Sequence, residues 1–244
     1  MKMKNKFLTI LTTCASFSLL LMLIGCNVST IAVGEVQSET RTANLGSASS
    51  ASVQIEFGAG ELTVEGGAAN LLDGNFRYNV AVWQPQVDYS ENGSEGTLLI
   101  THEGESVPIG RPVINDWDLQ FSNEVPLDLS IQTGAGKSQL DLATLNLTAA
   151  AIETGAGTTY IDLNGTWQHD LDVSVTGGVG EITIDLPTEM GVRVNADTAL
   201  VSVTTRGLTK DSDRYINDAY RTASYTLTLD LQAGIGSVVL DASN

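Results

Sequence analysis

Thr133-Gly134-Ala135-Gly136-Lys137-Ser138-Gln139-Leu140-Asp141-Leu142 decides the fold, because the chain writes this pattern several times over. It returns as Thr154-Gly155-Ala156-Gly157-Thr158-Thr159-Tyr160-Ile161-Asp162-Leu163 and as Gly177-Gly178-Val179-Gly180-Glu181-Ile182-Thr183-Ile184-Asp185-Leu186. Looser copies occupy Phe57–Gly66 and Ala233–Ala242. In every copy an acid stands five residues beyond the second glycine: Glu65, Asp141, Asp162, Asp185 and Asp241. The central turn glycines Gly134, Gly155 and Gly178 are 21 and 23 residues apart. Each turn follows a run such as Leu127-x-Leu129-x-Ile131 or Leu171-x-Val173-x-Val175, whose two-residue period marks a half-buried strand.

One unit is therefore strand, glycine corner, strand and short return. Self-similarity at this period predicts an all-β β-solenoid of rungs about 21 residues long, stacked about 4.8 Å apart. A β-sandwich is the alternative, since it too uses short alternating strands. A sandwich gives no reason for the glycine pair and the acid to keep a constant offset. The residue between the glycines (Ala59, Ala135, Ala156, Val179, Ile235) is expected to point into the core. Val192-x-Val194-x-Ala196 and Val201-x-Val203 read as a further rung whose corner has lost its glycines.

Outward from the repeat, the N-terminus has its own logic. Lys2, Lys4 and Lys6 precede an 18-residue apolar-leaning stretch, Phe7–Ile24, the layout of an export signal. It ends in Leu23-Ile24-Gly25-Cys26, similar to a lipobox, so residues 1–25 are expected to be removed and Cys26 to carry the lipid. An uncleaved anchor is the alternative, because 18 such residues nearly span a bilayer. Several acyl chains, at about 0.8 kcal/mol per buried CH₂, would hold the chain at a bacterial membrane, on its extracytoplasmic side. Residues 26–50 are rich in Ser, Thr, Ala and Gly and read as a flexible tether. Residues 51–112 then form an N-terminal module and 113–244 the repeat domain.

The charge excludes some partners. Loss of three lysines with the leader takes the net charge from −17 to −20, which repels nucleic acid and anionic headgroups. Cys14 and Cys26 are the only cysteines, so the processed chain is expected to lack disulfides and thiol chemistry.

Catalytic motifs are missing. Thr133–Ser138 imitates a phosphate loop but leads into an alternating strand, not a helix. His102 and His169 are the only imidazoles and read as surface histidines. The aligned acids read as solvated carboxylates, with weak Ca²⁺ binding as the sharper alternative. Trp83, Trp117 and Trp167, with Tyr78 and Tyr89, read as a hydrophobic cap over the first rung or else as a sugar-stacking platform. Residues 209–223 break the rung pattern and read as a long surface loop before the last rung. Within it Tyr215 and Tyr220 are the candidate partner contacts.

The run Asn115–Leu119, Asn123–Ile131 and Thr133–Gly136, with the upstream Gly58–Val80 segment and Trp83, Pro85 and Tyr89, resembles the toast-rack β-solenoid family over residues 51–244. Its relatives include the C-terminal domain of LiaF-type cell-wall-active antibiotic response proteins and adhesin-like envelope solenoids. The resemblance implies a non-enzymatic, cofactor-free interaction scaffold with an envelope protein or glycan as partner. An envelope-stress regulator of a membrane signalling protein is the alternative. LiaF-type chains carry several membrane helices where this one carries a single leader, and the family lends no catalytic residues.

Overall fold

The computed structural model describes residues 32–104 and 112–243. Cys26 and the leader lie outside the described residues. Ala32–Asn244 forms a compact unit with its own apolar core.

Each copy of the glycine motif is the middle of one long strand. These are β2 (Ser50–Gly66), β7 (Leu127–Asp141), β8 (Leu147–Asp162), β9 (Leu171–Asp185) and β13 (Thr226–Asp241), joined by β10 (Gly191–Arg206), whose corner has no glycine. All six run parallel and in register, and each bends at its corner into a first and a second arm. The alternation read from sequence holds along both arms. Leu127, Leu129 and Ile131 of one arm and Leu140 of the other are buried in a single core, joined by Leu142 and Leu145 of the return. Each fully buried branched side chain contributes about 1.5–3 kcal/mol of transfer free energy, which is how a thin stack holds together without disulfides.

The glycines answer two constraints at once. At the second corner position φ is positive, +130° at Gly136 and +138° at Gly157. At the first, a β-carbon on Gly155 would lie 2.2 Å from the Gly134 carbonyl oxygen of the neighbouring rung. No other residue satisfies both.

Three expectations need correcting. First, the residue between the glycines does not enter the core: Ala135 and Ala156 are exposed, and Val179 and Ile235 are 55% and 53% exposed. The two arms converge at the bend and leave little volume inside it, where the small Ser138 and Thr159 are buried instead. The apolar residue faces solvent on the convex side.

Second, the stack does not follow chain order. Its order is β2-β7-β8-β9-β13-β10, so β13 is inserted between β9 and β10. An inner rung must fit between two neighbours, and only a glycine corner is narrow enough to do so. The corner of β10, Thr198-Ala199-Leu200, has a neighbour on one side only and widens outward, leaving Leu200 74% exposed.

Third, the two flanking segments are ordered. Val33–Ala43 of the expected tether is strand β1, paired antiparallel with β3 (Leu72–Val80). Glu39 fastens it by accepting hydrogen bonds from the Tyr78 hydroxyl and the Gln84 amide. The expected loop 209–223 contains a hairpin, β11 (Thr209–Asp211) and β12 (Arg214–Ile216), and a 3₁₀ turn at Asp218–Arg221. β12 pairs antiparallel with Arg193–Asn195 and covers the first arm of β10. Buried Asn217 locks the cap: it donates to the carbonyls of Met190 (2.8 Å) and Pro187 (3.2 Å) and accepts from the Val192 amide (2.9 Å).

At the opposite end of the stack, β5 (Glu95–His102) continues the first arm of β2 and is flanked by β4 (Pro85–Asn92). The β6 strand (Asn115–Phe121) continues the second arm and is followed by β3 and β1. Trp117 fills this end, edge-on to Phe57 and Phe76 at 5.1 and 5.3 Å between ring centroids.

Candidate interaction surface

Because the rungs are in register, a residue at one offset from the corner becomes a row across the whole stack. Ala59, Ala135, Ala156, Val179, Ile235 and Leu200 are successive neighbours and form a solvent-facing apolar ridge that grows bulkier toward β10. Beside it Gly58, Gly134, Gly155 and Gly178 form a floor of bare peptide planes. A groove of about 810 Å³ runs over this floor across β2, β7, β8 and β9. Its walls carry Gln132, Glu153, Thr133, Thr154 and Thr176, with Glu56 and His102 at the β2 end. Hydroxyls, a carboxamide and carboxylates thus line a floor whose Gly58 end lies against the His102 ring. The sequence reading missed this groove, since neither Thr nor Gly announces a site. Its signal was the constant offset of these residues from each corner.

The aligned acids make a second row. Asp141, Asp162, Asp185 and Asp241 are direct neighbours, and Arg206 ends the row with Nη1 3.0 Å from Asp241. The Gln120 amide donates to Glu65 at 2.6 Å, and the Tyr160 hydroxyl donates to Asp185 at 2.7 Å. Burial raises the pKa of Asp162; the Asn164 amide opposes the shift and the flanking carboxylates add to it. The Ser243 hydroxyl, with Arg206, holds Asp241 below the usual carboxylate range. Among the described residues no group of three or more His, Cys, Asp or Glu is placed to hold a metal ion.

His102 is not the surface histidine expected. It is half-buried against Trp117 and Trp83, with centroids at 5.7 and 6.4 Å. The Gly58 amide donates to its Nε2 at 3.1 Å, which places the ring proton on Nδ1. Burial depresses its pKa, partly offset by the Gly104 carbonyl. His169 lies in the return after β8, with Nδ1 2.8 Å from the Asp170 carbonyl oxygen.

Trp83, Trp117, Trp167 and Tyr78 are buried and present no stacking platform. Trp167 instead joins adjacent returns by donating from Nε1 to the Leu145 carbonyl at 3.0 Å. Tyr215 and Tyr220 are half-buried in the C-terminal cap, each beside a cation: Lys210 Nζ and the Arg214 guanidinium are both 5.9 Å from the respective ring centroid. They lie at the β10 end of the stack, away from the groove.

Comparison with known proteins bears on this architecture. The family model described as "N-terminal domain of toast_rack, DUF2154" matches residues 32–185, more than half of the chain. The chain belongs to the toast-rack family. The crystal structure of a proposed cell adhesion protein from Clostridium sporogenes superposes on this toast-rack chain with a TM-score of 0.83. It is 24% identical and covers 86% of this chain and 100% of its own, a likeness of fold. A proposed adhesin from Bacteroides fragilis aligns over 84% of this chain and 97% of its own, at 9% identity and a TM-score of only 0.26. A search of the curated proteins finds no match. No helix among the described residues of the toast-rack chain is long and apolar enough to cross a membrane.

Proposed function

We propose that the protein is a non-catalytic, adhesin-like interaction domain of the bacterial cell surface, tethered through lipid on Cys26. The observation that carries this reading is the groove: a floor of peptide planes across four rungs, walled by hydroxyls, a carboxamide and carboxylates. Such a surface binds by many shallow contacts laid along a rigid scaffold. It suits one extended polymer of the envelope, glycan or polypeptide, lying across the rungs. The fold likeness to a proposed cell adhesion protein and the export-type leader agree with this.

Two substitutions on outward positions test it. Ala135→Arg with Gln132→Arg, both exposed, fills the groove without touching the core, so circular dichroism and melting temperature should stay as in the wild type. Retention on immobilised envelope glycans and on envelope protein extracts should be lost. Undiminished retention of that variant would remove the groove as the contact surface. The anchor is tested separately: Cys26→Ser should abolish lipid labelling and leave the leader uncleaved, and normal processing of that variant would overturn lipidation.

A further inference from the structure

Seven large apolar side chains are exposed among the described residues, and six of them lie on one side of the molecule, that of the rung corners. Val179, Ile235 and Leu200 belong to the ridge itself. Val36, Val82 and Val113 reach the same side at the β2 end. Asn115, at the start of β6, donates from Nδ2 to the Ala59 carbonyl at 2.9 Å, so β6 begins beside the β2 corner. Tyr78 of β3 and Gln37 of β1 are level with it across the sheet. Val113 precedes Asn115, Val36 precedes Gln37, and Val82 follows Tyr78 in the 3₁₀ turn Ala81–Trp83. All three therefore stand at or beyond the corner. Tyr225, just before the first arm of β13, is the exception at the arm tips.

The corner side also receives the chain from its amino end. Strand β1 runs away from the corner, because Gln37 is level with Asn115 while Ala43, through Leu72, is level with Phe121. Only residues 27–32 separate Cys26 from its first residue, Val33. At no more than about 3.5 Å per residue, Val33 lies within about 25 Å of the lipid attachment. Strand β10 is eight strand spacings from β1, about 38 Å along the same edge.

We propose that the corner edge is a membrane-contact surface, covered by a lipid bilayer. Val36, Val82 and Val113 meet the lipid near the anchor, and Val179, Ile235 and Leu200 meet it at the far end. The inference rests on lipidation of Cys26. Position selects the occupant: a tether this short keeps the bilayer close to the start of β1, and the exposed apolar side chains gather on that side. Anchoring through a short linker gives the edge a high effective concentration at the bilayer, so a few side chains suffice for a contact too weak to recruit a free chain. The contact is apolar, not electrostatic. Exposed Glu61, Glu181 and Asp197 flank the ridge, which favours neutral headgroups over anionic ones. Between the two apolar groups the ridge carries only the alanines of β2, β7 and β8, and the groove opens beside that low span. A polymer bound there would lie along the membrane surface.

The processed, lipidated chain in phosphatidylcholine vesicles tests this, with a polarity-sensitive fluorophore on Ala199→Cys, beside Leu200, or on Gln168→Cys, in the return after β8. Both positions are exposed. Lipid carrying a spin label near its headgroup should quench the probe at 199 and spare the probe at 168. Leu200→Glu with Ile235→Glu should lower quenching at 199 by roughly half or more. Chain that floats with the vesicles while the probe at 199 stays unquenched overturns the proposal and leaves the anchor standing. Equal quenching of both probes, or quenching that survives the two glutamates, does the same. Chain that does not float lacks the anchor itself, and the proposal falls with it.

Discussion

Gly157 shows how much one missing β-carbon decides. Its φ is +138°, and a β-carbon there would lie 1.9 Å from the Gly136 carbonyl oxygen, so strain and collision add. Gly157→Ala should lower stability by about 2–5 kcal/mol in urea unfolding. Ala156→Ser next to it, on the exposed ridge, should change it by less than about 0.5 kcal/mol. His102 makes a residue-scale prediction about pH. Its folded pKa lies below the unfolded value of about 6.5, so below that pH the unfolded chain binds the proton more readily. Stability associated with His102 is therefore complete above pH 6.5 and declines as pH falls toward the depressed folded value. The wild type should lose stability between pH 7 and pH 5 more steeply than His102→Gln, and parallel unfolding curves across that range would count against the buried neutral imidazole.

At the scale of elements, the rungs were legible because two independent periods coincide: alternation within each arm, and a glycine pair with an acid at fixed offset between rungs. Their order was not legible. Six parallel strands share one alternation, so nothing local states that β13 lies between β9 and β10; only the glycine-free corner at Thr198–Leu200 hinted that β10 is terminal. Strand β1 was hidden for a different reason. An edge strand exposed on both faces has the polar composition of a tether, and its pairing depends on Glu39 meeting Tyr78 and Gln84 from other elements. The ridge was seen but turned the wrong way, because Val179 and Ile235 are apolar and apolar residues usually point inward. Two element-scale outcomes follow. Asn217→Ala strips three buried backbone groups of their partner and should cost about 2–4 kcal/mol in thermal or chemical unfolding. Asp162→Asn removes the central charge of the acid row while keeping the acceptor for the Asn164 amide. Because the pKa of Asp162 is raised, its ionised form is disfavoured in the fold; the variant should gain about 0.5 kcal/mol near pH 7 and lose that advantage as pH falls through the carboxylate range.

Over the whole molecule, neighbour-only contacts make stability a sum over rungs and their interfaces. Hydrogen exchange should be fastest in the second arm of β10, which has one neighbour, and slowest in β8 and β9, which have two. A plain surface loop at 209–223 would tolerate deletion of residues 211–219, but the cap does not. That deletion removes Asn217 and uncovers Arg193–Asn195, so the variant should melt earlier and aggregate through the second bared edge. The position of β13 also bears on how the molecule is made. A chain that emerges from its amino end presents β10 before the strand that must separate it from β9 exists. Until Thr226–Asp241 arrives, the stack lacks an interior layer, and the last segment synthesised completes the middle instead of extending the end. A stop codon shortly before Thr226 would therefore do more than shorten the stack by one rung: it would leave β9 with β8 alone beside it and β10 with only the short β12, a lesion that quality control would meet as an unfinished protein.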